Sequence, residues 1–194
     1  MKNQLRIGVI TFFMVLATIS CTQKSEYDKL VERELASNIR QDSLFLGITF
    51  EMDRKEFYAH CWDLNKKGVF TNGVGNMSIK YNLESGLKYP GSMQFYPKFG
   101  ENKIFELPVD FQYDDWALWD KNKSSDALLQ DVKNMLEEWY GGSEFMELES
   151  EDGTKKVLVK VDGNRRIRLW KWNVSTVRVI FTDLIDLQNF KEAS

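Results

Sequence analysis

The chain has 194 residues, 43% of them hydrophobic and 13% aromatic, enough for one domain with a real core or two small repeats. Its 26 basic and 29 acidic residues leave a net charge of −3, which excludes a general nucleic-acid binder, because such a protein carries a basic surface. Prolines number 3 and no low-complexity tract appears, so the composition is that of a folded chain.

In Met1–Arg6 the only charges are Lys2 and Arg6, and Ile7–Ile19 carries none. A basic start, a short apolar run and a small residue before a cysteine form a secretory signal. The run is too short to span the ~30 Å of a bilayer's hydrocarbon comfortably. Leu16-Ala17-Thr18-Ile19-Ser20-Cys21 resembles a bacterial lipobox, where signal peptidase II cuts before a lipidated cysteine. Ser20 and Cys21 fit it, and Thr18 stands where leucine is usual. The resemblance implies a signal peptide over 1–20 and a membrane anchor on Cys21. Cys21 and Cys61 are the only cysteines. With Cys21 lipidated, Cys61 has no partner within the chain and reads as a buried small hydrophobe, or else as a spare thiol. Gln23-Lys24-Ser25-Glu26 resembles the export signal that places some Bacteroidetes lipoproteins on the cell surface, with Ser25 where an acidic residue is preferred. A solvated linker is the other reading.

Residues 21–43 hold this tether and an amphipathic helix. Ser25-x-x-Asp28 caps it, and Tyr27, Val31, Leu35 and Ile39 recur at spacing four, so the helix is expected over 26–40. Leu44–Phe50 reads as a short strand. Asp53-x-x-Glu56 is a capping box. Phe57, Cys61 and Leu64 share the face behind it, flanked by Tyr58 and Trp62, and Gly68 suits the position after the last turn. These predict a helix over 53–67. Strands follow. Met77, Ile79, Tyr81 and Leu83 alternate; Ser92–Phe99 sets Met93, Phe95 and Phe99 on one parity; Phe105, Leu107, Val109, Phe111 and Tyr113 alternate without a break. Ser124 or Ser125 caps the next helix, over 125–140. Its buried stripe is Leu128, Val132, Met135, Leu136 and Trp139, and Gly141-Gly142 ends it.

The last four strands are registered by asking which loops put all apolar residues on one face, since a slip of one residue exchanges the faces. A two-residue turn at Asp152-Gly153 sets Leu148 opposite Val157 and Met146 opposite Val159. A three-residue loop Asp162-Gly163-Asn164, with Asn164 left-handed, sets Val159 opposite Ile167 and Val157 opposite Leu169. A loop Asn173-Val174-Ser175 sets Leu169 opposite Val179 and Ile167 opposite Phe181. The predicted fold class is α+β, with helices packed on antiparallel meander sheets in two strand-helix-meander units, 44–103 and 104–183. Residues 184–194 form a short helical or frayed tail. No residue-level repeat is visible, so the duplication is architectural.

Glu34-Leu35-Ala36-Ser37, Asp42-Ser43-Leu44-Phe45-Leu46-Gly47, Glu56-Phe57-Tyr58, Cys61-Trp62-Asp63-Leu64-Asn65-Lys66 and Phe95-Tyr96-Pro97 together resemble an uncharacterised family of Bacteroidetes envelope lipoproteins. The resemblance covers most of the mature chain. It implies an envelope location and brings no catalytic residues. The two units also resemble small lipoproteins that assist outer-membrane protein assembly, and tandem-repeat protease or lactamase inhibitors, a likeness of fold alone.

Catalytic constellations are weak. His60 and Cys61 are neighbours on a helix and do not face each other. One His and one spare Cys cannot build a zinc site of the usual kind. Asp114-Asp115 and Glu149-Ser150-Glu151-Asp152 lack calcium-loop spacing. Asp114-Asp115-Trp116 with Trp119-Asp120 suggests a glycosidase cleft, but adjacent carboxylates seldom flank a scissile bond. Trp116 and Trp119 read as a core plug at the repeat junction or as ligand contacts. The registers put Lys156, Lys160, Arg166, Arg168 and Arg178 on the outer sheet face with Leu158, Trp170 and Ile180, and Glu147 and Glu149 beside them. This is a solvated face with cross-strand ion pairs, or a basic aromatic patch for a glycan, lipid headgroup or acidic partner.

The expected function is that of a lipid-anchored, non-catalytic outer-membrane lipoprotein, facing the periplasm or the cell surface, that binds a protein partner or glycan. Candidate binding residues are Lys156, Arg166, Arg168, Trp170, Arg178, Trp116 and Trp119. Neither metal nor cofactor is expected, and the sequence leaves the oligomeric state open. A glycan-binding accessory role and a carboxylate-dependent hydrolase are the alternatives.

Overall fold

The computed structural model describes residues 24–101, 103–150 and 153–193. The expected signal peptide, Cys21, and the Glu151 and Asp152 positions of the expected Asp152-Gly153 turn region lie outside the described residues. The chain divides into two units, Met1–Glu32 and Arg33–Ser194. Helix α1 (Glu26–Ala36) opens with a reciprocal cap: Ser25 Oγ accepts from Asp28 N at 3.1 Å, and Asp28 Oδ2 accepts from Ser25 N at 3.2 Å. It ends earlier than its apolar stripe, because Asn38 turns left-handed at φ 55° and Ile39 is exposed.

The second unit carries α2 (Arg54–Lys66), α3 (Ser125–Tyr140), α4 (Leu184–Ala193) and the strands β1 (Phe70–Asn72), β2 (Ile79–Leu83), β3 (Gly91–Phe95), β4 (Lys98–Gly100), β5 (Lys103–Tyr113), β6 (Met146–Glu149), β7 (Lys156–Asp162), β8 (Arg165–Lys171) and β9 (Thr176–Asp183). Among the described residues these nine strands form one antiparallel sheet in the order β1-β2-β3-β5-β9-β8-β7-β6, with β4 also on β5. The fold is α+β. The strands expected in two sheets are joined by the β5–β9 ladder, and β5 closes the first meander rather than opening the second. α2 begins where expected. Asp53 Oδ1 accepts from Glu56 N at 2.8 Å, and Glu56 Oε2 accepts from Asp53 N at 2.9 Å. Ser124 caps α3 by accepting from Ala127 N.

Both α2 and α3 cover one sheet face. Phe57 and Cys61 of α2 and Leu128, Val132, Met135 and Leu136 of α3 share one core with Phe95, Leu107, Val109, Phe111, Ile167, Leu169, Val179 and Phe181. α4 lies on the other face. There Phe105 is the extra residue of a bulge where one step on β4 meets two on β5, and its ring stacks on Phe190 at 4.8 Å. Trp139, expected in the α3 stripe, is partly exposed.

Three strand expectations fail for local reasons. Leu44–Phe50 is a core-filling loop with a single bridge, Ser43 to Thr49. Leu46 and Gly47 have φ of 50° and 79°, and this turn buries Leu44, Phe45, Ile48 and Phe50 without alternation. Ser92–Phe99 breaks at Tyr96-Pro97, where proline offers no N–H to the ladder. Met77 precedes β2 and is exposed.

The meander registers are right at two turns and wrong at one. Leu148 faces Val157 and Met146 faces Val159; Leu169 faces Val179 and Ile167 faces Phe181. Between β7 and β8, however, Asp162 pairs with Arg165, so the loop is the two residues Gly163-Asn164. Gly163 takes the positive φ, 57°, rather than Asn164. Leu158 and Lys160 therefore face the helices, opposite Leu169 and Ile167, and Val157, Val159 and Val161 face outward. Lys160 tolerates this inward position because its ammonium donates to the carbonyls of Gly141 and Ser143, just past α3, and lies 3.1 Å from Asp162 Oδ2. Asn164, freed from the left-handed role, is buried as a junction. Its Nδ2 donates to Asp183 Oδ2 at 2.7 Å and its Oδ1 accepts from Gln41 N at 2.6 Å. Arg40 completes that junction at 3.0 Å from Asp183. The hydrogen bond to Asp42 is the main reason that the Arg40 pKa is raised.

Candidate binding surfaces

The outer face of β8–β9 gathers four of the expected residues. Trp170 stands opposite Arg178 and Arg168 opposite Ile180, while Arg166 lies opposite Thr182. Two acids of β5 face them. Arg178 Nε and Nη2 donate to Asp110 Oδ1 and Oδ2, each at 2.7 Å, and this bond raises the Arg178 pKa. Arg168 lies 3.7 Å from Glu106, which also holds Lys98 at 2.7 Å. The face thus holds one fork-like ion pair, Arg178 with Asp110, and a looser one, Arg168 with Glu106, so two of its arginines are balanced by acids of β5. Trp172, which sequence reasoning passed over, completes it. Its ring meets Trp170 edge-on at 6.5 Å and carries the Arg178 guanidinium at 3.7 Å and the Lys155 ammonium at 5.5 Å.

Lys156 does not join this face. The shorter β7–β8 turn sends it to the helix side at the sheet edge, where it is paired with Glu147 at 2.7 Å. Glu147 and Glu149 move with it, opposite Leu158 and Lys156. Lys160 and Leu158 leave the outer face for the same reason. Trp116 and Trp119 sit on the loop between β5 and α3. Trp116 is half-buried and Trp119 exposed, which rules out Trp119 as a core plug. Asp115 is exposed beside them, and Asp120 is occupied in accepting from Asn122 N at 3.1 Å.

The second surface is a groove of about 900 Å³ between α2 and the β1–β2 edge. Its floor is Phe70, Ile79 and Cys61, and Tyr58, Trp62, Met77 and Tyr96 form its walls. The Tyr58 and Tyr96 hydroxyls are hydrogen-bonded to each other, which is the main cause of the raised Tyr96 pKa. Asn65 Nδ2 donates to the Phe70 carbonyl at 2.9 Å, tying α2 to β1. Burial pushes the Cys61 thiol up to about 12, which leaves it protonated and unreactive at neutral pH. His60 turns away from it, donating from Nε2 to the Leu46 carbonyl at 2.8 Å. The sequence signal for this groove was present in part. Tyr58 and Trp62, four apart on the flank of a well-capped helix, are aromatics that the core stripe does not use.

No known protein family, curated protein or solved structure matches the chain. Among the described residues no group of three or more His, Cys, Asp or Glu could hold a metal ion, and no helix is long and apolar enough to cross a membrane.

Proposed function

We propose that the chain is a lipid-anchored, non-catalytic protein of the bacterial outer membrane, facing the periplasm or the outside, that holds an apolar segment of a partner protein in the α2–β1 groove. The groove is the observation that carries this reading. Its floor is apolar and its walls aromatic, with a few polar groups at the rim, as binding clefts are built. β1 ends the strand order, so an extended segment laid in the groove would meet an edge that no other strand covers among the described residues, held at Phe70 by Asn65. Met77 on the wall gives an adaptable contact for an irregular apolar partner. The basic start, apolar run and Cys21 of the sequence support the anchor, and the resemblance to envelope lipoproteins supports the location.

Photo-crosslinking in envelope membranes tests the reading, with the reactive side chain at position 62 and a control at position 170. Discrete protein adducts at 62, lost on Met77→Arg, are expected. Adducts at 170 with none at 62 would move the site to the outer face. Absence of protein adducts at both, with Trp62→Ala weakening retention on an oligosaccharide resin, would establish the glycan alternative.

A further inference from the structure

Two loops adjoin at the end of the sheet where β5 and β8 finish and β9 begins. One, 114–124, runs from β5 into α3, and the other, 172–175, joins β8 to β9. The second is tied to the start of α3, where the first loop ends, by Ser125 N donating to the Val174 carbonyl at 3.3 Å. Leu118 is 75% exposed, Trp119 87%, Val174 62% and Trp172 46%. Adjoining tips with this much large apolar surface mark an interaction site more often than chance exposure.

The tip is held out rather than loose. Asp120 N donates to the Ala117 carbonyl at 3.0 Å, and the Asp120 carboxylate accepts from Asn122 N at 3.1 Å, which closes the turn that carries Leu118 and Trp119. The charges behind the tip are mixed. Lys123 lies 3.9 Å from Asp115, and Lys171 pairs with Asp126 at 2.6 Å. A projecting knob enters a fluid layer without a matching cavity. Tryptophan and leucine together suit the boundary between headgroups and acyl chains, where tryptophan settles. A collar bearing both signs complements headgroups that bear both signs, and lacks the basic excess that an anionic surface attracts.

We infer that Leu118, Trp119 and Val174 dip into the interfacial layer of a zwitterionic bilayer, an inference that rests on the anchored reading above. Within the sheet, the groove residues Met77 and Ser78 precede β2, whose last residue, Leu83, pairs with Gly91 and so, across β3, sits level with Tyr113 at the tip end. These two groove residues therefore lie toward the end of β2 away from the tip.

The test uses the acylated full chain on phosphatidylcholine–phosphatidylethanolamine vesicles that carry a doxyl-labelled lipid, with tryptophan emission read alongside pelleting. Quenching of the wild type, lost for the most part in Trp119→Phe and kept in Trp62→Phe, is expected. A chain that pellets while Trp119→Phe is quenched as strongly as the wild type overturns the inference and leaves the anchor standing. Equal loss in Trp62→Phe also overturns it, by placing the groove on the lipid. A wild type that neither pellets nor is quenched overturns both the inference and the anchor, and leaves the tip to a protein partner.

Discussion

Lys160→Met is the most informative single substitution in the sheet. The lysine is 0% exposed; its ammonium donates to the Gly141 and Ser143 carbonyls and forms an ion pair with Asp162 Oδ2 at 3.1 Å. Methionine fills nearly the same volume, so no cavity opens and the loss is electrostatic. Hydrogen bonds to a charged group contribute about 1.5–3 kcal/mol each, and stranding the partner of a buried pair costs about 3–5 kcal/mol. These are not additive, because Asp162 keeps the Ser143 N–H at 2.9 Å and its side chain is 15% exposed to water. The expected loss is therefore about 3 kcal/mol, at the low end of that range.

Urea unfolding followed by tryptophan emission measures it. With a slope of about 2 kcal/mol/M, the midpoint should fall by about 1.5 M. Asp162→Asn in the same chain removes the stranded carboxylate, so the double variant should lose less than the sum of the singles. The result also decides the β7–β8 register. Had the three-residue loop formed, Lys160 would be an outward surface lysine, and its removal would change stability by no more than about 0.5 kcal/mol. A midpoint within that margin of the wild type would refute both the buried lysine and the two-residue turn.

Leu169 faces the helices and Trp170 the outer face, so Leu169→Ala should cost about 2–5 kcal/mol in the same melt, and Trp170→Ala, which loses mainly its edge contact with Trp172, about 1 kcal/mol; equal losses would mean that β8 is inverted. Burial first, then the neighbouring Asp183, raises the Asp186 pKa above its ordinary 3.8, so the folded state holds that proton more tightly than the unfolded chain. The ionised carboxylate thus costs stability above its native pKa, and the cost vanishes below 3.8. Asp186→Asn should raise the melting temperature at pH 7, with the gain shrinking as pH falls toward 4, and a gain that grew on acidification would contradict the assignment.

Elements whose local chemistry and burial agree were legible in the sequence. The Asp53–Glu56 box, the Ser124 cap with its Leu128–Leu136 stripe, and the alternation of β5 each satisfied their own backbone groups and their own apolar face. The 44–50 segment misled because a buried apolar run reads as a strand whether or not it is extended. Only the left-handed pair Leu46-Gly47 distinguishes the two, and a leucine gives no warning of that conformation.

The β7 error has a different cause, and it changed the chemistry of a whole face. Requiring all apolar residues inward makes Val157, Val159 and Val161 core and Lys160 surface. That rule prices a buried lysine as an unpaired charge. It omits what the chain places beside it, the end of α3, whose last carbonyls lack helical partners and attract cations. Gly142 lets that end approach so closely that a Cβ there would meet the Asp162 carboxylate at 2.5 Å. Helix end, glycine and lysine lie in three separate stretches of sequence, and their meeting is a tertiary fact that no one-strand pattern encodes. Once Lys160 is accounted for, Lys156 and Leu158 follow it by parity, and the acids that balance Arg168 and Arg178 come from β5. The basic patch read from the strands alone becomes a face on which Arg168 and Arg178 are paired with acids of β5, while the aromatic-walled groove beside α2, which no strand pattern displays, stays open.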